Sequence, residues 1–124
     1  MNSKRYRLPK SERLNSNREI RELFSKGSSF FVYPYKIKYL SAKESEPPSI
    51  LISISKKFFK KAISRNNLKR KIKEAYRLTK GDYLSGLPVQ SIAFIYVGKE
   101  ENAAFDFLKT RMKKALEGIS KAQP

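Results

Sequence analysis

Lys56 to Lys80 reads KKFFKKAISRNNLKRKIKEAYRLTK, with eleven Lys or Arg against the single acid Glu74, so this stretch supplies +10 of the chain's +17. Ile63, Leu68, Ile72, Ala75 and Tyr76 recur on one side of a 3.6-residue period. Arg65, Lys69, Lys73 and Arg77 recur every four residues along another. The pattern predicts a long helix with one apolar and one cationic side. Before it, Ile50, Ile52 and Ile54 alternate with Leu51, Ser53 and Ser55, and after it Ser91 to Val97 is an apolar run of strand length. The fold class that follows is α/β.

Like charges four apart oppose a helix by a few tenths of a kcal/mol per pair, and Glu74 offers limited relief. A helix that tolerates this repulsion has an external anion as its natural partner. Dense positive charge gains affinity for phosphate by releasing condensed counterions, which puts nucleic acid first and an anionic membrane second. If about six of these cations each neutralised one phosphate, log K would fall against log salt with a slope of roughly −4. A solvated face is the plain alternative for a cationic stripe. For Asn66 and Asn67 the alternatives are a cap near the helix start and a polar reader of phosphate, ribose or base edge.

Working toward the N-terminus, Ser41 to Ser49 reads as a loop, and Ser28 to Leu40 as two strands divided at Pro34. In the second strand Tyr35, Ile37 and Tyr39 alternate with Lys36 and Lys38, which sets an apolar row against a cationic one. Ser16-x-x-Glu19 has the capping-box form, Ile20, Leu23 and Phe24 follow at helical spacing, and Gly27 suits the stop. A helix over 16–26 follows. Residues 1–10 are basic, contain Pro9 and are expected to form a flexible arm.

Toward the C-terminus, Gly81 to Pro88 is expected to be a turn-rich connection. Phe105, Leu108, Met112, Leu116 and Ile119 mark a final helix, and 119–124 a flexible tail. The order is αβββαβα. With 124 residues, no linker and no repeat, residues 1–124 read as one domain.

The chain contains neither Cys nor His, which excludes disulfides, zinc thiolate sites, thiol nucleophiles and the commonest general base. Its acids are Asp82, Asp106 and nine Glu scattered among bases, with no D-x-D, E-x-x-H or phosphate-loop motif. No catalytic group, metal site or bound cofactor is therefore expected on the polypeptide. The start, MNSKRYRLPK, lacks an apolar core, and the longest apolar run, Ile92 to Val97, is far short of a membrane span. A cytoplasmic protein without a membrane partner is the expectation. Eight Phe and seven Tyr are each candidates for packing or for stacking on bases, with Phe24 the better stacking candidate. The Phe58-Phe59 pair, between two Lys-Lys pairs, is hard to bury in full and can anchor the turn into the helix.

At Arg65-Asn66-Asn67-Leu68-Lys69-Arg70, preceded by Ser55-Lys56-Lys57 and followed by Lys73-Glu74-Ala75-Tyr76-Arg77, the sequence resembles the protein subunit of bacterial ribonuclease P. That family's pattern is R-N-R-x-K-R followed by a basic helix, and the likeness runs in order over roughly residues 7 to 118. The resemblance implies a four-stranded sheet with a left-handed βαβ crossover, of the kind found in a ribosomal-protein domain. It also implies a division of labour. A large RNA using Mg²⁺ hydrolyses the phosphodiester bond at the 5′ end of precursor tRNA, while a single protein, in a 1:1 complex, assists folding and metal affinity and holds the 5′ leader.

Carried over by position, Arg65, Asn66, Lys69 and Arg70, extended by Lys56, Lys57, Lys60, Lys61, Lys73 and Arg77, would contact RNA. Phe24, Lys36 and Lys38 would line the leader cleft. Asn67 stands in place of the usual second Arg, Ile20 where an aromatic is common, and Phe58 to Lys61 in place of a shorter Gly-containing turn. A structural RNA-binding protein such as a ribosomal component is the reading that composition alone would equally allow.

Overall fold

The computed structural model describes residues 16–42, 48–57, 59–100 and 102–123. In order these form α1 (Asn17–Lys26), β1 (Ser28–Val32), β2 (Tyr35–Ser41), β3 (Ser49–Ile54), α2 (Ala62–Leu84), β4 (Val89–Tyr96) and α3 (Phe105–Ala122). The αβββαβα order is the one read from the sequence. The expected arm over 1–10 lies outside the described residues.

The four strands form one sheet in the order β1-β2-β4-β3, antiparallel except for the parallel pair β3 and β4, which α2 connects. Strand alternation divides the side chains between two faces. Tyr35 and Ile37 of β2, Ile50, Ile52 and Ile54 of β3, and Ile92, Phe94 and Tyr96 of β4 point to one face, where α2 and α3 cover them. Leu68, Ile72, Ala75 and Tyr76 of α2 and Leu108, Met112, Ala115, Leu116 and Ile119 of α3 complete this core. Phe94 sits at its centre, with the rings of Tyr35 and Tyr76 at 6.1 Å and 5.7 Å.

Among the described residues the opposite face carries α1 alone. Its fully buried residues are Leu23 and Ala93, with Ile20, Leu40 and Leu51 packed around them. Ser16 caps α1, its Oγ accepting from the Glu19 amide, and Gln90 of β4 donates to Glu22. Gly27 ends the helix for a reason of space, since its φ of −73° suits any residue. A Cβ there would lie 2.4 Å from the Leu23 carbonyl oxygen and 2.8 Å from that of Tyr39. On the other side of the sheet, Gly118 lets α3 lie on β1, because a Cβ would meet the Phe30 ring at 2.8 Å.

Two expectations are corrected. The connection over Gly81 to Pro88 is helical as far as Leu84, so only Ser85 to Pro88 links α2 to β4. Burial of Leu84 and packing of Tyr83 against the core offset the helix-weakening Gly81. The tail over 119–124 is helical through Ala122: Ile119 is fully buried, and Gln123 accepts from Ser41 and donates to the Ile119 carbonyl. Pro124 lies outside the described residues.

Candidate nucleic-acid interface

The first part of the candidate site is the turn between β3 and α2 together with the helix it starts. The Ser55 carbonyl accepts from the Phe59 amide at 3.1 Å, and its hydroxyl accepts from the Lys57 amide at 3.1 Å. Phe59 plugs the core against Tyr96, with ring centroids 5.9 Å apart. It is the expected anchor, and Phe58 lies outside the described residues. Burying Phe59 leaves Lys56, Lys57, Lys60 and Lys61 exposed around the helix start. Lys61 is the N-cap, makes no side-chain cap bond, and the first turn contains no acid. Helix starts ordinarily draw acids, because free N–H groups and the macrodipole make them positive. Here four lysines add to that positive end, an arrangement that suits phosphate rather than an isolated helix.

Along α2 the four-residue spacing advances 400° per step, so the stripe drifts around the cylinder by about 40° per residue pair. Arg65, Lys69 and Lys73 lie half-buried on the flank, and Asn66, Asn67 and Arg70 are exposed. Arg65 does structural work: its Nη1 donates to the carbonyls of Phe59 at 2.6 Å and Lys60 at 2.9 Å, clamping the turn. Arg has further N–H donors to offer outward. Arg77 pairs with Glu74 at 2.6 Å, and Lys80 lies 5.9 Å from the Tyr76 ring centroid. Because Lys61 is the cap, the capping alternative for Asn66 and Asn67 falls away, and both amides face solvent one turn into the helix.

The second part lies across the sheet. Lys36 and Lys38 point to the face that carries α1, opposite Tyr35 and Ile37, which settles the strand phase. Lys38 Nζ donates to the Phe24 carbonyl at 2.9 Å and lies 5.4 Å from the Phe24 ring centroid, so one lysine satisfies the end of α1 and sets its aromatic wall. Phe24 is 38 % exposed, whereas Leu23 beside it is buried. Ile20 packs toward Leu23, a core-side role in place of an aromatic wall. Lys36 is exposed on the floor, with Phe31 of β1 and Ile95 of β4 as its cross-strand neighbours.

The structure thus gathers the predicted residues into two groups: one around the start and flank of α2, the other between α1 and β2. Sequence reasoning missed three features. Lys71 belongs to neither group, since it ties α2 to the loop before α3 through Asn102 at 3.1 Å and the Ala103 carbonyl at 3.0 Å. Phe31 and Tyr33 extend the second group, and the period of two that turns Phe30 inward and Phe31 outward was the available signal. Arg111 of α3 donates to the Tyr33 carbonyl at 2.6 Å, a contact between residues too distant in sequence to be read there. Among the described residues no three of His, Cys, Asp or Glu come together, and no helix is long and apolar enough to cross a membrane.

Buried hydroxyls near this end are core groups. Desolvation first, then repulsion from Tyr96, pushes the Tyr35 hydroxyl far up, and it donates to the Leu108 carbonyl at 2.9 Å. Tyr96 is pushed up to about 12, by desolvation first and then by Glu100 and Tyr33. Both stay protonated at neutral pH.

Comparison with known proteins agrees with this fold. A solved structure of the ribonuclease P protein from Staphylococcus aureus superposes with a TM-score of 0.72 at 23 % identity, covering 93 % of this chain and all of that one. The Thermotoga maritima protein gives 0.72 at 24 %, over 86 % and 96 %. In sequence, the ribonuclease P protein component of Porphyromonas gingivalis is 36 % identical over 118 residues, 91 % of this chain and 86 % of its own. That of Clostridioides difficile is 33 % identical over 100 residues, 81 % and 84 %. The family model described as Ribonuclease P matches residues 8–120, both groups of the site included, and the chain belongs to that family.

Proposed function

We propose that the chain acts as the protein subunit of a ribonuclease P ribonucleoprotein in tRNA maturation. It docks on the catalytic RNA through Lys56, Lys57, Lys60, Lys61, Arg65, Asn66, Lys69, Arg70, Lys73 and Arg77, and it holds the 5′ leader of precursor tRNA between Phe24, Lys36 and Lys38. The observation that carries the reading is the acid-free, lysine-ringed start of α2. A helix end of that charge is stabilised by phosphate, and its exposed amides at Asn66 and Asn67 can both donate and accept. The leader assignment rests on the cleft, where Phe24 offers a ring face to an unstacked base and Lys36 offers charge to its phosphate.

Hydrolysis of the phosphodiester bond is assigned to the RNA, with Mg²⁺ held there. Among the described residues no three carboxylates come together to offer a hard cation its oxygen ligands. The protein's part is electrostatic: cations near the junction lower the repulsion between two RNAs and the amount of Mg²⁺ needed to offset it. One protein per RNA in the cytoplasm completes the reading. The test is reconstitution. The purified chain, mixed with a bacterial ribonuclease P RNA and precursor tRNA at low Mg²⁺, is expected to raise the cleavage rate over RNA alone. Absence of stimulation, together with tight binding to ribosomal RNA, would overturn the assignment in favour of a ribosomal role.

A further inference from the structure

Three exposed aromatic rings lie in file beyond the cleft. Phe31 is 59 % exposed, Tyr33 41 % and Phe107 39 %, with ring centroids 6.3 Å apart from Phe31 to Tyr33 and again from Tyr33 to Phe107. The ring planes of the two pairs meet at 60° and 58°, so neither pair is stacked face to face. The file starts beside the proposed cleft, because Phe31 stands directly across from Lys36, and the next pair on the same sheet face is Ser29 with Lys38, whose Nζ lies 5.4 Å from the Phe24 ring centroid.

We infer that Phe31, Tyr33 and Phe107 form a stacking platform for single-stranded RNA, receiving the part of the leader that runs past Lys36 toward the start of α3. The inference rests on the leader reading above. Every base has a π-face, so a row of separated rings binds a strand with little regard to sequence. Buried surface does not explain the rings, since the core is complete without them. Their setting is held in place: Arg111 Nε fixes the Tyr33 carbonyl at 2.6 Å, and the Tyr33 hydroxyl donates to Glu100 at 3.4 Å. Charge favours a polyanion along the path. Lys36 at one end and Lys99 with the remaining N–H groups of Arg111 at the other outnumber Glu100 and Asp106 among the described residues. An acidic protein would answer the same charge, but only an RNA strand already seated at Phe24 would reach the rings by continuing along the floor.

The test uses the reconstituted holoenzyme and two precursor tRNAs, one with a long single-stranded leader and one trimmed to the nucleotides nearest the cleavage site. Phe31→Ala with Phe107→Ala, both at exposed positions, is expected to weaken binding of the long-leader substrate on the order of 5- to 30-fold and leave the trimmed one unchanged. A 2-aminopurine placed in the distal leader should be quenched by the unsubstituted protein and recover its fluorescence in the double variant. Equal loss on both substrates, or no loss on either, would overturn the platform. Phe24→Ala separates this from the underlying reading. If it weakens both substrates while the double variant is indifferent to leader length, the platform alone fails. If Phe24→Ala is silent and the holoenzyme ignores the leader altogether, the leader reading fails and takes the platform with it.

Discussion

The two faces of the sheet are built to different standards. On one, α2 and α3 seal an unbroken core from Ile50 to Ile119. On the other, α1 is pinned by Leu23 on Ala93 and by a few polar ties, leaving Lys36, Phe31 and part of Phe24 open. Among the described residues a two-helix cover makes the fold, and a one-helix cover leaves part of the other sheet face exposed. Under the proposed function, stability and binding fall to different residues, which substitutions can separate.

The sharpest separation is at the centre of the closed face. Phe94→Ala removes a fully buried ring that touches both Tyr35 and Tyr76 and is expected to cost about 3 to 5 kcal/mol, measured by denaturant unfolding. The chain would then bind RNA only to the extent that it still folds. On the open face Leu23→Ala is expected to cost less, about 2 to 3 kcal/mol, because its small cluster can relax around the gap. Its distinctive mark is loss of leader affinity in the fraction that remains folded, since α1 carries the aromatic wall. A Leu23→Ala cost equal to that of Phe94→Ala would mean that α1 belongs to the main cooperative core.

Phe24→Ala belongs to the same face and should behave in the opposite way. A ring 38 % exposed contributes roughly 1 to 2 kcal/mol to folding, so the melting curve should move less than for Leu23→Ala while leader binding falls by more than that loss accounts for. On the docking side, Arg65→Ala and Lys69→Ala are expected to diverge although they share one sequence stripe. Arg65 clamps the carbonyls of Phe59 and Lys60, so its loss is expected to cost about 1 kcal/mol of stability and to loosen the lysine-bearing turn. Lys69→Ala should leave unfolding within about 0.5 kcal/mol and make the salt dependence of RNA affinity shallower by roughly 0.7 to 0.9.

That divergence shows how far the sequence is readable. Periodicity of two and 3.6 found the seven elements of the described residues, and the alternation of Tyr35, Ile37 and Tyr39 with Lys36 and Lys38 set a cationic row opposite an apolar one, because local geometry fixes which way each side chain points. The reading of the cationic row as the floor of a leader cleft comes from the family resemblance. What stayed hidden is set by contacts distant in sequence or by capping. Arg65 reads as one more cation until the turn folds under it. Lys71 is only one of the eleven cations between Lys56 and Lys80 until Asn102 and Ala103 come to meet it. Gly81 reads as a stop until Leu84 finds the core. The tail, similarly, is helical because Ile119 is buried, a fact of tertiary packing.

The smallest expected effect probes the position where this chain departs from its family's pattern. Asn67 is exposed one turn into α2, beside Asn66 and within reach of the same solvent as Arg70, and it makes no core contact. Asn67→Arg should therefore leave stability within about 0.5 kcal/mol, with a slight gain available because Arg is the better helix former. If position 67 faces the catalytic RNA, a new guanidinium adds up to one phosphate contact, and the slope of log K against log salt should steepen by about 0.7 to 0.9. If it faces solvent in the assembled particle, the slope stays where it was and only nonspecific RNA binding rises. Lys69→Ala and Asn67→Arg measured in parallel thus locate the RNA around the circumference of α2. A loss from the first without a gain from the second would put the RNA on the flank of Lys69 and Lys73, while equal and opposite changes would put it astride both.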